Sequence, residues 1–157
     1  MPPALALRAL DLEDLAVLSA CLQDALVYIG DMAYLPDERR FVLVVNRFLW
    51  EAERPASAAI PPSAARSRFS GEEGEVGHWR RLAGLSIENV LAVRQRGLSR
   101  KGERLLSLLA LRSEEGGLRL DFADGAAIRL ETSALLCHLK DLGEAWPTAW
   151  CPGHGVV

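Results

Sequence analysis

The chain reads as an α+β fold of about seven mostly antiparallel strands, with one helix near the N-terminus and another near the C-terminus. Three observations point there. Leu118, Leu120 and Phe122 alternate with Arg119 and Asp121, and Ala126, Ile128 and Leu130 alternate with Ala127 and Arg129, so this segment buries one face at strand period. Successive strand-like runs are joined by short connections, which suit antiparallel neighbours because parallel strands need long crossovers. Near each end, leucines recur at helical spacing behind a capping residue.

In chain order, Leu5, Leu7 and Ala9 alternate weakly and predict a short edge strand. Asp11 is placed as an N-cap, with Asp14 in the first turn, where a negative charge suits the helix dipole. Leu12, Leu15, Leu18 and Leu22 form the apolar stripe of a helix over 12–23, to which Cys21 contributes a small packing residue. From Asp24 the period shortens. Residues 25–51 are rich in β-branched and aromatic residues and are broken at Gly30-Asp31 and Pro36-Asp37-Glu38, which predicts three strands. Phe41 to Val45 are apolar on both faces, so this strand is placed centrally, and the mixed Arg47–Trp50 segment is where it leaves the core as an exposed rim.

Residues 52–77 concentrate Pro, Ala, Ser, Gly and Glu without period, and predict a disordered or flexible insertion within a single domain covering 1–157. Beyond it, Leu85, Ile87, Leu91 and Val93 share one face of a strand. Gly97 to Gly102 form a basic turn, and Arg104 to Arg112 give another apolar strand. Asp124-Gly125 predicts a two-residue hairpin turn, since both central positions of a type I′ turn need positive φ. Thr132 then caps a helix carrying Leu135, Leu136, Leu139 and Leu142, which Gly143 ends in the left-handed region. Seven antiparallel strands closed by such a helix resemble the pleckstrin-homology-like roll.

Composition excludes several functions. The formal net charge of -3 supplies no field to recruit nucleic acid or anionic lipid, so neither nucleic acid nor membrane is an expected partner. No run reaches the roughly 20 apolar residues that span a bilayer, and the N-terminus lacks the pattern of a secretory signal. Cys21, Cys137 and Cys151 are an odd number without scaffold spacing, which suits a reducing, cytoplasmic location.

Candidate chemistry is thin. Residues 90–109 resemble, over about twenty positions, the acetyl-coenzyme-A-binding motif of the acetyltransferase superfamily, but Arg94, Gly97 and Ser99 match it only in part. Leu105 to Leu111 also alternate at least as well as they wind, so that reading is disfavoured and no cofactor is expected. Cys151 and His154 have CxxH spacing, yet Cys137 and His138 are adjacent on the expected helix and diverge by about 100°, so no metal site is expected. No serine sits in a nucleophile elbow, and no catalytic residue is assigned.

The residues with binding potential are Arg94, Arg96 and Arg100 of the basic turn, and Arg47 and Trp50 of the rim, the types that interfaces favour. The favoured function is a noncatalytic protein-binding or assembly module, self-associating or engaging a protein partner. The alternative is a small-molecule enzyme or ligand-binding domain that holds a phosphate or carboxylate on the arginine turn. Through residues 12–51, 87–98, 105–112 and 120–146 the chain resembles a bacterial family known as domain of unknown function 2948. That resemblance implies a small bacterial domain and brings no activity, cofactor or catalytic residue with it.

Overall fold

The computed structural model describes residues 3–53, 78–98, 105–149 and 151–152. Its elements are β1 (Ala6–Ala9), α1 (Leu12–Leu22), β2 (Ala25–Tyr28), β3 (Met32–Leu35), β4 (Arg40–Phe48), β5 (Trp79–Ile87), β6 (Val90–Arg96), β7 (Leu105–Glu114), β8 (Gly117–Phe122), β9 (Ala127–Thr132) and β10 (Cys137–Pro147). The class is α+β with antiparallel pairing throughout, but the described strands number ten rather than about seven.

Helix α1 begins where its cap is. The Asp11 carboxylate accepts a hydrogen bond from the Asp14 amide at 2.8 Å, satisfying one of the helix's unpaired first-turn donors. Leu15, Leu18 and Leu22 are buried, whereas Leu12, at the first turn, faces solvent. The helix lies against β7, where the Ser19 hydroxyl accepts from the Leu111 amide at 3.0 Å.

The strands form one sheet in the order β1-β10-β5-β4-β2-β7-β8-β9-β6, with β3 flanking β4. Strand β4 is central, as its apolar composition predicts: β5 runs along one side, and β2 and β3 share the other. Its two faces are unequally covered, however, the second being closed only at its end by Phe48. Phe41, Leu43 and Val45 are buried, while Val44 looks outward beside Leu82 and Leu142. Strand β2 pairs with both β4 and β7 and so joins the two halves of the sheet. Buried residues from both halves and α1 form a single apolar cluster.

Two expectations fail for local reasons. The run from Leu85 to Val93 is two strands, because Asn89 takes φ 60° and the chain turns a corner there; β5 pairs with β4 and β10, and β6 pairs with β9. The corner is held by the Glu88 amide donating to Leu136 O and the Val90 amide to Arg39 O. The hairpin loop holds three residues, Ala123–Gly125, rather than two, although Asp124 and Gly125 do take positive φ.

The largest correction is the C-terminal helix. Residues 137–147 are strand β10, which pairs with β1 on one side and β5 on the other. Gly143 takes the left-handed φ of 63° expected of a helix stop, but it serves an irregularity in β10 where the register shifts between Leu142 and Trp146. With that helix gone, nothing here establishes a pleckstrin-homology-like roll. The acetyltransferase reading also loses its basis, since Leu105 to Leu111 lie in β7. Most of the 52–77 insertion falls outside the described residues.

Candidate functional site: an arginine row across four strands

Strands β6, β9, β8 and β7 bring four arginines into one line. Arg94 stands opposite Arg129, Arg129 opposite Arg119, and Arg119 opposite Arg112. Opposed residues share a face and alternate residues return to it, so Arg96, Ala127 and Asp121 form the next row on the same surface, and Glu131, Gly117 and Glu114 the row on the other side. Leu118, Leu120, Ile128 and Leu130 occupy the opposite face and are buried. The alternation seen in the sequence therefore sends the arginines outward.

Like charges directly across a strand pair are unfavourable, and carboxylates offset part of that cost. Asp121 takes Arg112 Nε on Oδ2 and Arg119 Nε on Oδ1, each at 2.7 Å. Glu114 pairs with Arg129 and lies 3.9 Å from Arg119, while Glu131 is 3.2 Å from Arg94. Arg129 also donates to the Glu115 carbonyl at 2.8 Å. Arg96 has no ion-pair partner among the described residues. The face thus sets five guanidinium groups, those of Arg94, Arg96, Arg112, Arg119 and Arg129, against the carboxylates of Glu114, Asp121 and Glu131. It is locally cationic on a chain whose net charge is -3.

A groove of about 160 Å³ opens on this face. Arg94, Arg96, Arg119 and Arg129 line it, Glu114 contributes at its side, and the small Ala127 leaves room between them. Two of the sequence-predicted site residues, Arg94 and Arg96, are therefore brought together, and Arg100 lies outside the described residues. Arg119 and Arg129 were missed because the sequence displays them only as solvent-facing alternates of a hairpin. Their register across the Asp124-Gly125 turn aligns them with each other, and the pairing of β9 with β6 joins them to Arg94.

The rim residues fare differently. Arg47 is not on a rim: its side chain is fully buried. Its Nε and Nη2 donate to the two Asp141 oxygens at 2.8 and 2.9 Å, and Nη1 and Nη2 donate to Glu51 at 3.0 and 2.6 Å. Burial alone would push this guanidinium down, but the two carboxylates outweigh it and hold Arg47 above its ordinary value. Arg47 is a structural clamp, since no partner could reach it in the folded state. Trp50 is half-buried, with its indole N–H donating to Gln23 O at 2.8 Å and its ring edge-on to Phe48 at 4.6 Å.

A second group of polar residues collects where β4 ends and β5 begins. His78 Nδ1 lies 3.2 Å from Glu53, and Arg80 donates to Asn46 Oδ1 at 3.0 Å with its guanidinium 5.8 Å from the Phe48 ring. Arg81 donates twice to Gly143 O, at 3.0 and 2.7 Å. Cys151, which follows β10, has its thiol held above the usual range by burial and by Glu53 and Asp24, the opposite of what a nucleophilic thiolate requires. No group of three or more potential metal ligands occurs among the described residues.

Cys137 is wholly buried, and burial, with a contribution from Glu88, pushes its thiol up to about 12. The folded protein therefore keeps this proton at a pH where the unfolded chain, titrating near 9.0, has lost it. This thiol contributes nothing to the pH dependence of stability below that value and lowers stability as pH rises from about 9 toward 12, because the native state there binds more protons than the unfolded state. Chemical denaturation across that window should show this slope, and Cys137→Ala should reduce it, leaving the contribution of Cys151.

Fold and site together define an antiparallel, α+β protein with a cationic face across one half of its sheet. The family described as "Protein of unknown function (DUF2948)" matches residues 5–154, and the chain belongs to that family. No curated protein and no solved structure matches it. No helix among the described residues is long and apolar enough to cross a membrane.

Proposed function

We propose that this is a noncatalytic binding domain of the cytoplasm whose recognition surface is the arginine row, and that it takes a carboxylate- or phosphate-bearing group of a partner. The observation that carries this reading is the convergence of Arg94, Arg96, Arg119 and Arg129 on one groove. A guanidinium presents a planar fork of donors that matches carboxylate and phosphate oxygens two at a time. Stability supplies no motive for aligning four such groups, since opposed like charges weaken a sheet. An arriving anion would turn that cost into affinity. The surrounding chemistry, guanidinium and paired carboxylate, holds an anion rather than transforming one.

The test is titration of the chain with tripolyphosphate and with polyglutamate at low and moderate salt. Both should bind, more weakly as salt screens the face. Arg94→Glu combined with Arg96→Glu should weaken binding by at least about tenfold while leaving the melting temperature nearly unchanged, because both side chains are exposed. Equal binding by the double variant, or none by the parent protein, would sink the reading.

A further inference from the structure

Building on the anion-binding reading above, we infer that the open edge of β6 is a strand-addition site for an extended acidic segment of a protein partner, with carboxylates at alternate positions facing Arg94 and Arg96. Strand β6 ends the sheet, and β9 covers one of its sides. Its first residue is anchored on the other side, where Val90 N donates to Arg39 O at 2.8 Å and Val90 O accepts from the Tyr34 hydroxyl at 3.1 Å. From Leu91 to Arg96 that side meets no strand among the described residues. A row of main-chain donors and acceptors, fixed at one end and open beyond it, is the surface that β-augmentation uses.

Charge decides what can be added. Edges are commonly blunted by charges, proline or bulges, and β6 carries a register irregularity between Val90 and Ala92 and arginine at two alternate positions. Because both charges have one sign, a second β6 laid alongside would bring arginine onto arginine. An acidic strand meets the opposite situation. Each carboxylate on its outer face lies beside Arg94 or Arg96, and a glutamate there is long enough to enter the groove toward Arg129. On the other face, Val93 is partly buried against the apolar cluster and offers apolar contact to the intervening residues. The partner segment is therefore extended, acidic at every second position and apolar between.

The experiment uses the intact chain and a ten-residue peptide of alternating glutamate and valine, with amide hydrogen exchange and affinity as readouts. Bound peptide should slow exchange of the amides within 91–96 by roughly tenfold or more, and N-methylating alternate peptide amides should weaken binding by a similar factor, since main-chain hydrogen bonds supply the affinity. Arg94→Glu with Arg96→Glu should abolish both effects. If the N-methylated peptide and tripolyphosphate bind as well as the parent peptide and β6 amides stay unprotected, strand addition falls while the anion-binding reading stands. If no probe binds, both fall. Equal or tighter binding of a single-stranded oligonucleotide overturns the acidic-protein partner, and a dimer that protects β6 without peptide assigns the edge to a second copy.

Discussion

Arg47→Ala is expected to destabilise the protein by about 3–5 kcal/mol, because it leaves the buried Asp141 carboxylate without a cation, and Asp141→Ala by somewhat less, because Arg47 keeps its two hydrogen bonds to Glu51. The pair joins β4 to β10, strands that both border β5 without touching each other. Arg47 and Asp141 are both fully buried at the side chain, so neither water nor salt can take over the missing contact. The two variants should still be distinguishable. Asp141 Oδ2 also accepts from the Leu5 amide at 2.8 Å, and the Asp141 amide donates to Leu5 O at 2.9 Å. Asp141→Ala should therefore loosen the segment leading into β1, read as faster amide exchange from Leu5 to Ala9, more than Arg47→Ala does. Replacing the pair with Arg47→Met and Asp141→Leu together should recover much of the loss, since apolar substitutes carry no desolvation cost. Urea denaturation gives the comparison directly, with the midpoint moving and the slope unchanged.

The same pair explains why the C-terminus misreads as a helix. Leu135, Leu136, Leu139 and Leu142 fit helical spacing, and read as a strand the segment alternates Cys137, Leu139 and Asp141 on one face. An aspartate on a core face argues against a strand until its partner is known. Arg47 is that partner, and it is 94 residues away. Local pattern therefore favours the helix, whereas pairing with β5 and β1, accompanied by this long-range ion pair, makes the segment a strand. By contrast, α1, the central position of β4 and the β8–β9 hairpin depend on near neighbours and were legible. So was the outward direction of Arg119 and Arg129.

Their alignment was also within reach of the sequence. Placing Leu118, Leu120 and Phe122 on the same face as Ala126, Ile128 and Leu130 requires Leu120 to oppose Ile128, which sets Arg119 opposite Arg129 and a three-residue loop between the strands. A two-residue turn at Asp124-Gly125 would have put leucine opposite arginine, so the alternation should have overruled the turn signal. What no single segment contains is the addition of β6 beside β9 and β7 beside β8. Those pairings extend two arginines to four and bring Arg96 to the groove.

Gly117→Ala is expected to cost about 3 kcal/mol, at the upper end of the range for overpacking, because the added methyl meets backbone rather than a movable side chain. A Cβ at this position would lie 1.9 Å from Leu130 O, 2.9 Å from Leu130 C and 3.1 Å from Glu131 Cα. No rotamer change relieves those contacts, and the strands must separate where Gly117 pairs with Glu131. Gly125→Ala makes an informative comparison in the same hairpin. Its φ of 80° strains an alanine, but nothing lies within 4 Å of the added carbon, so the loss there should be nearer 1 kcal/mol. The functional consequence follows from the register. Gly117 lies between Glu114 and Glu131 in the row beside the arginines, so parting β8 from β9 shifts Arg119 away from Arg129. Gly117→Ala should thus weaken anion binding even at temperatures where it remains folded, whereas Gly125→Ala should change stability alone. Titration with tripolyphosphate on both variants, each checked for folding by circular dichroism, separates the two outcomes.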